Sequence, residues 1–347
     1  MNILIKNGRI WDGQRFFRGD ILTEDGLIAE IAPKIDTAAS FTYDASGKIV
    51  SAGFVDLHTH LKGISTDKYG TPADSSSFPF GVTAAVDAGA EYGDRALLQS
   101  FAVKNAVFVC AKIKANRADL SQVPELLQKY GDKAVGLKVY FSGVNVQNTD
   151  PLKEICDYAH QRGLSVMVHC NGSPTPMADI LEVLQKGDIL THPFHGGPNN
   201  AAGDGFESLI NAQKRGVVID AGFAGHVHTD FEIFRSAVQA GVLPDTISTD
   251  ITKSSVFTRG GRYGLTLCIS YGRAAGMTEE DIFRAVTTTP AALLGTSWGK
   301  LEIGGAADIA VLEYTDEGFF IPKQNLAFEH SYRCLLTVCD GNIVYRL

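Results

Sequence analysis

Two histidines stand two residues apart at the end of an apolar run, Gly53-Phe54-Val55-Asp56-Leu57-His58-Thr59-His60. The run has the length and composition of a short buried strand, in which side chains alternate between the two faces. His58 and His60 should therefore point to one side and Leu57 to the other. Two imidazoles on one face at a strand end are well placed to bind a metal ion. The alternative is a polar strand end that carries two unrelated histidines.

Other predicted strands carry residues of the same kind. The run at 135–141 directs Lys138 to the side opposite its aliphatic residues, and a buried ammonium is costly unless it is paired or neutralised. Later predicted strands end in His169, His192 and Asp250. Taken singly, each histidine could be an ordinary core residue, and the aspartate could cap the following turn. Together, on one rim, they predict a metal site. Its candidate ligands are His58, His60, Lys138, His169, His192 and Asp250.

The elements that would position these residues alternate between strands and helices. Short β-branched runs predict eight strands, at 54–60, 82–88, 106–112, 135–141, 165–169, 189–194, 217–220 and 246–250. A helix is predicted over 151–162, and another begins near Thr278 as its N-cap. This alternation indicates a parallel sheet, and residues 54–295 approach the roughly 250 residues of a (β/α)8 barrel. We therefore predict a (β/α)8 TIM-type barrel, with an open doubly wound sheet as the rival.

The two ends of the chain show a different pattern. Short apolar runs in residues 1–53 are interrupted by Asn7-Gly8 and Asp25-Gly26, and those in residues 296–347 by Asp340-Gly341. Such dipeptides between apolar runs predict β-hairpins. Neither end is long enough to hold a good core alone. We predict one small β-sandwich domain made from both ends, beside a metal-dependent barrel domain at 54–295.

Composition limits the partners and the location. Net charge is −8 with a pI near 5.6, which argues against nucleic acid or an anionic membrane as the main partner. The start lacks the apolar core of a signal peptide, and no apolar run is long enough to span a bilayer. The six cysteines include no CxxC pair, which is typical of reduced thiols. We expect a cytoplasmic homo-oligomer that acts on a small-molecule substrate.

The ordered set of candidate ligands resembles the amidohydrolase superfamily. The closer resemblance is to the subset with two metals bridged by a carboxylated lysine, which includes dihydroorotases, hydantoinases and related deacetylases. The segments 287–291 and 299–308 also resemble those of the superfamily. It implies that His58, His60 and Asp250 bind one divalent metal, with Zn2+ favoured, and that His169 and His192 bind the second. It further implies that Lys138 bridges both as a CO2-derived carbamate. A metal-bridged hydroxide would then attack a carbonyl, with Asp250 as the proton shuttle.

The loops after the strands would set specificity. Several of them carry basic side chains, and arginine forks suit carboxylates, so we expect a substrate with a free carboxylate. His226 and His228, in the seventh loop, are expected to belong to that loop rather than to a further metal. The candidate substrate contacts are Tyr140, Asn171, His195, Lys253, Arg259 and Arg262.

The resemblance extends to a small group of predicted amidohydrolases and deacetylases. It implies deacylation of N-acyl amino acids or acyloxy acids, although the glycine-histidine-glycine run of that group is replaced here at 220–226. A cyclic amidase that opens a dihydroorotate- or hydantoin-like ring is the alternative. A deaminase is disfavoured by Lys138, and a non-catalytic scaffold by the complete set of ligands.

Overall fold

A computed structural model describes residues 1–61, 70–91, 101–225, 227–257 and 263–347. The strands in these ranges are β1 (Ile3–Trp11), β2 (Phe16–Glu24), β3 (Leu27–Ala32), β4 (Phe41–Asp44), β5 (Ile49–Ala52), β6 (Phe54–Thr59), β7 (Val82–Ala90), β8 (Lys104–Lys114), β9 (Arg117–Asp119), β10 (Ala134–Tyr140), β11 (Ser165–His169), β12 (Ile189–Thr191), β13 (Val218–Asp220), β14 (Ile309–Thr315), β15 (Phe319–Ile321), β16 (Leu326–Phe328), β17 (Ser331–Cys339) and β18 (Asn342–Arg346). The α-helices are α1 (Ala73–Ser77), α2 (Val123–Tyr130), α3 (Asp150–His160), α4 (Met177–Val183), α5 (Glu207–Arg215), α6 (Phe231–Gln239), α7 (Lys253–Phe257), α8 (Leu265–Ala275), α9 (Glu279–Val286) and α10 (Thr288–Leu294).

A curled parallel sheet forms the centre of the molecule. Among the described residues it contains seven strands in the order β13-β12-β11-β10-β8-β7-β6. The segment at 246–251 joins its two edges, because Thr246 bridges to Asp220 and Ile251 bridges to Thr59 in parallel fashion. The Asp250 N–H also donates to the His58 carbonyl at 2.7 Å. The predicted (β/α)8-type barrel is confirmed, and an open sheet is excluded by this closure.

Apolar side chains pack on both faces of the curled sheet. Leu137, Val139, Val166 and Val168 belong to the large core shared with the surrounding helices. A smaller cluster fills the interior and includes Leu57, Phe108, Met167, Ile189 and Val218. Burying side chains of this size contributes about 1.5–3 kcal/mol each. The two packed faces therefore hold the strand ends, and the polar groups on them, in fixed positions.

Leu57 is an exception to the predicted alternation. We expected it to point away from His58, yet it joins the interior cluster. The pairing of β6 with β7 shifts register between Asp56 and Thr59, and this irregularity turns Leu57 inward.

A second sheet combines both ends of the chain. Its order is β18-β17-β14-β5-β1-β2-β3, with β4 paired to β1, so the C-terminal strand β14 lies beside β5. Asp25-Gly26 and Asp340-Gly341 form the predicted hairpin turns, with positive φ at all four residues. The prediction for Asn7-Gly8 is wrong. β1 continues through it with a register shift, and the Asp20 carboxylate accepts a hydrogen bond from the Asn7 N–H at 2.7 Å.

The predicted helices are also present. α3 buries Leu152, Ile155 and Ala159 on one face, and Thr278 caps α9 by accepting a hydrogen bond from the Asp281 N–H at 3.1 Å. None of the helices in the described ranges is both long enough and apolar enough to cross a membrane.

Candidate metal centre

The first ligand cluster joins β6 to the closing segment. His58 Nε2 and His60 Nε2 lie 3.4 Å and 2.9 Å from Asp250 Oδ1. The two histidines therefore point the same way, as their spacing predicts. One ligand atom from each of the three residues lies within 4.8 Å of the others. This spacing can close around a single metal ion with modest side-chain rotation.

The second ligand cluster contains three histidines. His169 ends β11, His192 follows β12 and His228 lies in the loop after β13, with ligand atoms within 4.8 Å of one another. His192 Nε2 and His228 Nε2 are each 3.7 Å from Asp250 Oδ2. One oxygen of Asp250 thus faces the first cluster and the other faces the second. The two clusters share one carboxylate and form a single site.

Lys138 lies beside both clusters. Its side chain is only 6% exposed, and Nζ is 3.0 Å from His58 Nε2. Burial lowers the pKa of the Lys138 amine to about 8, although Asp250 and Asp220 favour its charged form. The predicted inward lysine is therefore present, and its pKa lies well below the ordinary value for a lysine amine.

The charge states of the other residues suit a metal. Burial, and then the Lys138 cation, lowers the pKa of His58 to about 4. Burial also holds the pKa of His169 and of His192 well below the usual range, so these imidazoles are neutral, as metal ligands must be. Burial opposes ionisation of Asp250. The neighbouring His58, His60 and His228 outweigh it and hold the pKa of that carboxyl well below its usual range.

The His192 ring gives the clearest test of whether a metal fits. Its Nδ1 lies 2.7 Å from the Gly222 carbonyl oxygen, which can only accept, so Nδ1 carries the proton. Nε2 then presents a lone pair. Within the described part of the chain this buried atom has no hydrogen-bond partner. A buried lone pair that faces a carboxylate and other imidazoles fits a cation better than an apolar core.

Four of the six candidate substrate contacts lie within the described ranges. Tyr140 is 61% exposed, and its ring centroid is 4.4 Å from that of His169. The Asn171 side chain contacts His228 Nδ1. His195 is buried, with Nδ1 accepting from the Gly197 N–H at 3.1 Å, and Lys253 begins α7. Arg259, Arg262 and His226 lie outside the described residues.

Sequence reasoning missed two residues at this site. His228 was expected to belong only to its loop, but it completes the second cluster. Asp220, the last residue of β13, lies fully buried 3.5 Å from His58 Nδ1. Its place at a strand end is the same signal that identified His169, and could have revealed it.

Among the described residues, one of the two further clusters away from this rim lies at α3. Cys156, His160 and Asp188 come within 4.8 Å of one another. Both oxygens of Asp188 already accept hydrogen bonds, from His160 Nε2 and from the backbone N–H groups of Val166 and Gln185. This cluster therefore fastens α3 to the neighbouring strands.

Comparison with known proteins places the chain in a family. The profile of the Amidohydrolase family matches residues 49–344. The chain belongs to this family. A deacetylase of Enterococcus faecalis is 29% identical to this amidohydrolase over 99% of the chain and 98% of the relative. The expectation of a hydrolytic enzyme acting on carbon–nitrogen bonds is thereby confirmed.

Solved structures agree on the fold of this amidohydrolase. A dihydroorotase superimposes with a TM-score of 0.87 at 24% identity, covering 99% of this chain and 98% of that one. An adenine deaminase gives a TM-score of 0.82 at 26% identity, covering 99% of each chain. The fold is therefore shared by enzymes of different specificity, and the specificity of this one depends on its own site.

Proposed function

We propose that this amidohydrolase removes an acyl group from a small carboxylate-bearing substrate, an N-acyl amino acid or an acyloxy acid, with two divalent metal ions, preferably Zn2+. The observation that carries the proposal is the position of Asp250, whose two oxygens face two ligand clusters with Lys138 buried beside them. The deacetylase among its relatives supports the acyl-transfer chemistry.

In this proposal the ligands divide between the two ions. His58, His60 and Asp250 would hold one ion, His169 and His192 would hold the other, and Lys138, as a carbamate, would serve as a ligand shared by the two. When bound, the two ions lower the pKa of a water molecule and polarise the scissile carbonyl. Imidazole and carboxylate donors suit Zn2+.

The environment of Lys138 favours carbamate formation. Its neutral amine nitrogen attacks the carbon of CO2, an N–C bond forms as one C=O π bond opens and its electron pair moves to oxygen, and one proton leaves the nitrogen for water. The product is an anion where a buried cation stood before. This change replaces an unfavourable buried charge with one that offsets two divalent cations.

Asp250 is the proposed proton shuttle. Its carboxylate is ionised near neutral pH because its pKa lies well below the usual range, so it can accept the proton of the attacking water. It then passes that proton to the leaving nitrogen or oxygen. Tyr140, Asn171 and His195 are proposed to line the substrate pocket, and Lys253, Arg259 and Arg262 to face the substrate carboxylate.

Two alternatives use the same residues. Ring opening of a cyclic imide is favoured by the structural likeness to a dihydroorotase, and deamination by the likeness to an adenine deaminase. Turnover of N-acetyl amino acids, acyloxy acids, dihydroorotate, hydantoins and adenine by one preparation separates the three reactions.

The deciding experiment measures metal content and activity together. Protein grown with added zinc and bicarbonate should hold about two ions per chain and hydrolyse members of the acyl series. Lys138→Ala should lose most metal and activity, with partial rescue by short carboxylic acids plus zinc. Lys112→Ala, on neighbouring β8, serves as the control. Full activity in the Lys138 variant contradicts the carbamate bridge, and turnover of adenine or cyclic imides alone contradicts deacylation.

A further inference from the structure

Beneath the first ligand cluster lies a buried carboxylate that the proposed chemistry does not use. Asp220 is fully buried and accepts three hydroxyl hydrogen bonds. Thr191 and Ser248 donate to Oδ2 at 2.7 Å and 2.8 Å, and Thr246 donates to Oδ1 at 2.8 Å. The three hydroxyl donors converge on the two oxygens of this carboxyl group, so both oxygens act as hydrogen-bond acceptors.

The geometry points to Asp220 as a positioning residue that acts on His58 through the Thr191 hydroxyl and so tunes metal binding. The inference rests on the proposed metal centre. It assigns a role to a residue that has no direct contact with substrate.

Counting protons along the chain of contacts supports this assignment. The Thr191 hydroxyl has one proton, and the carboxylate of Asp220 can only accept it. Thr191 Oγ1 must then accept from His58 Nδ1, which lies 3.1 Å away. His58 is therefore fixed as the Nδ1–H tautomer. Its Nε2 lone pair faces Lys138 Nζ at 3.0 Å and Asp250 Oδ1 at 3.4 Å.

The chain of contacts from Asp220 through Thr191 to His58 is called the relay below. It also places a carboxylate behind a candidate ligand of the first metal. Asp220 Oδ2 is 3.5 Å from His58 Nδ1, on the side of the ring away from the first cluster. A carboxylate behind a ligating histidine makes the imidazole a stronger donor and fixes its orientation. His192 Nδ1 lies 2.7 Å from the Gly222 carbonyl oxygen and 3.3 Å from Thr191 Oγ1, so Thr191 touches the second cluster only by a longer contact than the 3.1 Å to His58. The relay should therefore act mainly on the first metal position.

A matched pair of variants tests the relay. Thr191→Val and Thr246→Val each remove one hydroxyl donor to Asp220 with little change in shape, but only Thr191 touches His58. Zinc affinity, measured by competition with a chromophoric chelator, should fall about 10–100-fold in Thr191→Val and less than about threefold in Thr246→Val. The thermal midpoint of the metal-free proteins should fall by similar amounts in both.

Asp220→Asn should weaken zinc binding like Thr191→Val. Asp245→Asn is its control, since Asp245 accepts from the Ile219 N–H at 2.8 Å, beside Asp220. Equal losses of zinc affinity in the two threonine variants, or wild-type affinity in Asp220→Asn, overturn the relay. If Asp220→Asn does not fold, the threonine pair still decides. Because the readout is zinc affinity, failure of the relay is distinct from failure to find acyl hydrolysis.

Discussion

The rate at which the metal-free enzyme takes up zinc should depend on pH, because it depends on the protonation of Lys138. Burial lowers the pKa of this amine from 10.5 to about 8, and only the neutral amine reacts with CO2. At pH 7 about one amine in ten is then neutral. An amine with the ordinary pKa would be neutral in only about 0.03% of molecules, so burial raises the reactive fraction about 300-fold. The protonated form is lost as pH rises through 8, and the gain in rate ends there.

The assay follows zinc uptake by metal-free protein from pH 6 to pH 10, at a fixed concentration of dissolved CO2 and excess zinc. The initial rate should rise about tenfold from pH 6 to pH 7 and level off above about pH 8. Lys138→Ala should show neither the rise nor the dependence on CO2. A rate that keeps climbing tenfold per pH unit to pH 10 would refute the lowered pKa. Uptake independent of CO2 would refute carboxylation itself.

Three other predictions concern the site and the fold. Asp250→Asn should retain at least one metal but lose more than tenfold in kcat, and a kcat within tenfold of wild type would remove Asp250 as the shuttle. Gly222→Ala should lower zinc content, because a Cβ there would lie 2.4 Å from His192 Nδ1. The control is Gly47→Ala, which is also at positive φ but has open space around it. Equal zinc content in the two variants would contradict the expected clash with His192. Trp11→Ala should cost about 3–5 kcal/mol in urea unfolding, since the ring is buried and Nε1 donates to Thr287 at 3.2 Å; a loss below about 1 kcal/mol would contradict that packing.

The barrel, and the meeting of the six ligand candidates at one rim, could be predicted because both follow from local patterns. Strand ends that carry histidine, lysine or aspartate come together whenever parallel strands close into a ring. His228 could not be placed in the same way, since its position depends on the course of a loop. The predicted direction of the Leu57 side chain and the predicted hairpin at Asn7-Gly8 were wrong, because both depend on register shifts against partner strands distant in sequence.

Asp220 shows a different limit of the sequence. Its strand was predicted, yet its role depends on three hydroxyls from two separate segments that meet only in the folded barrel. A single threonine before His192 carries no signal of its own. Its meaning comes from the two hydrogen bonds by which its hydroxyl links a carboxylate to an imidazole.

The segment that closes the barrel also governs when the site can exist during synthesis. Asp56 accepts two hydrogen bonds from Thr249, a residue 193 positions later in the chain. A ribosome-bound nascent chain therefore exposes His58 and His60 long before Asp250 emerges from the exit tunnel. Until then those two imidazoles can bind a cation only weakly, through two ligand atoms. In the proposed metal centre, all the ligands of a cation come together only after residues 246–251 have closed the barrel.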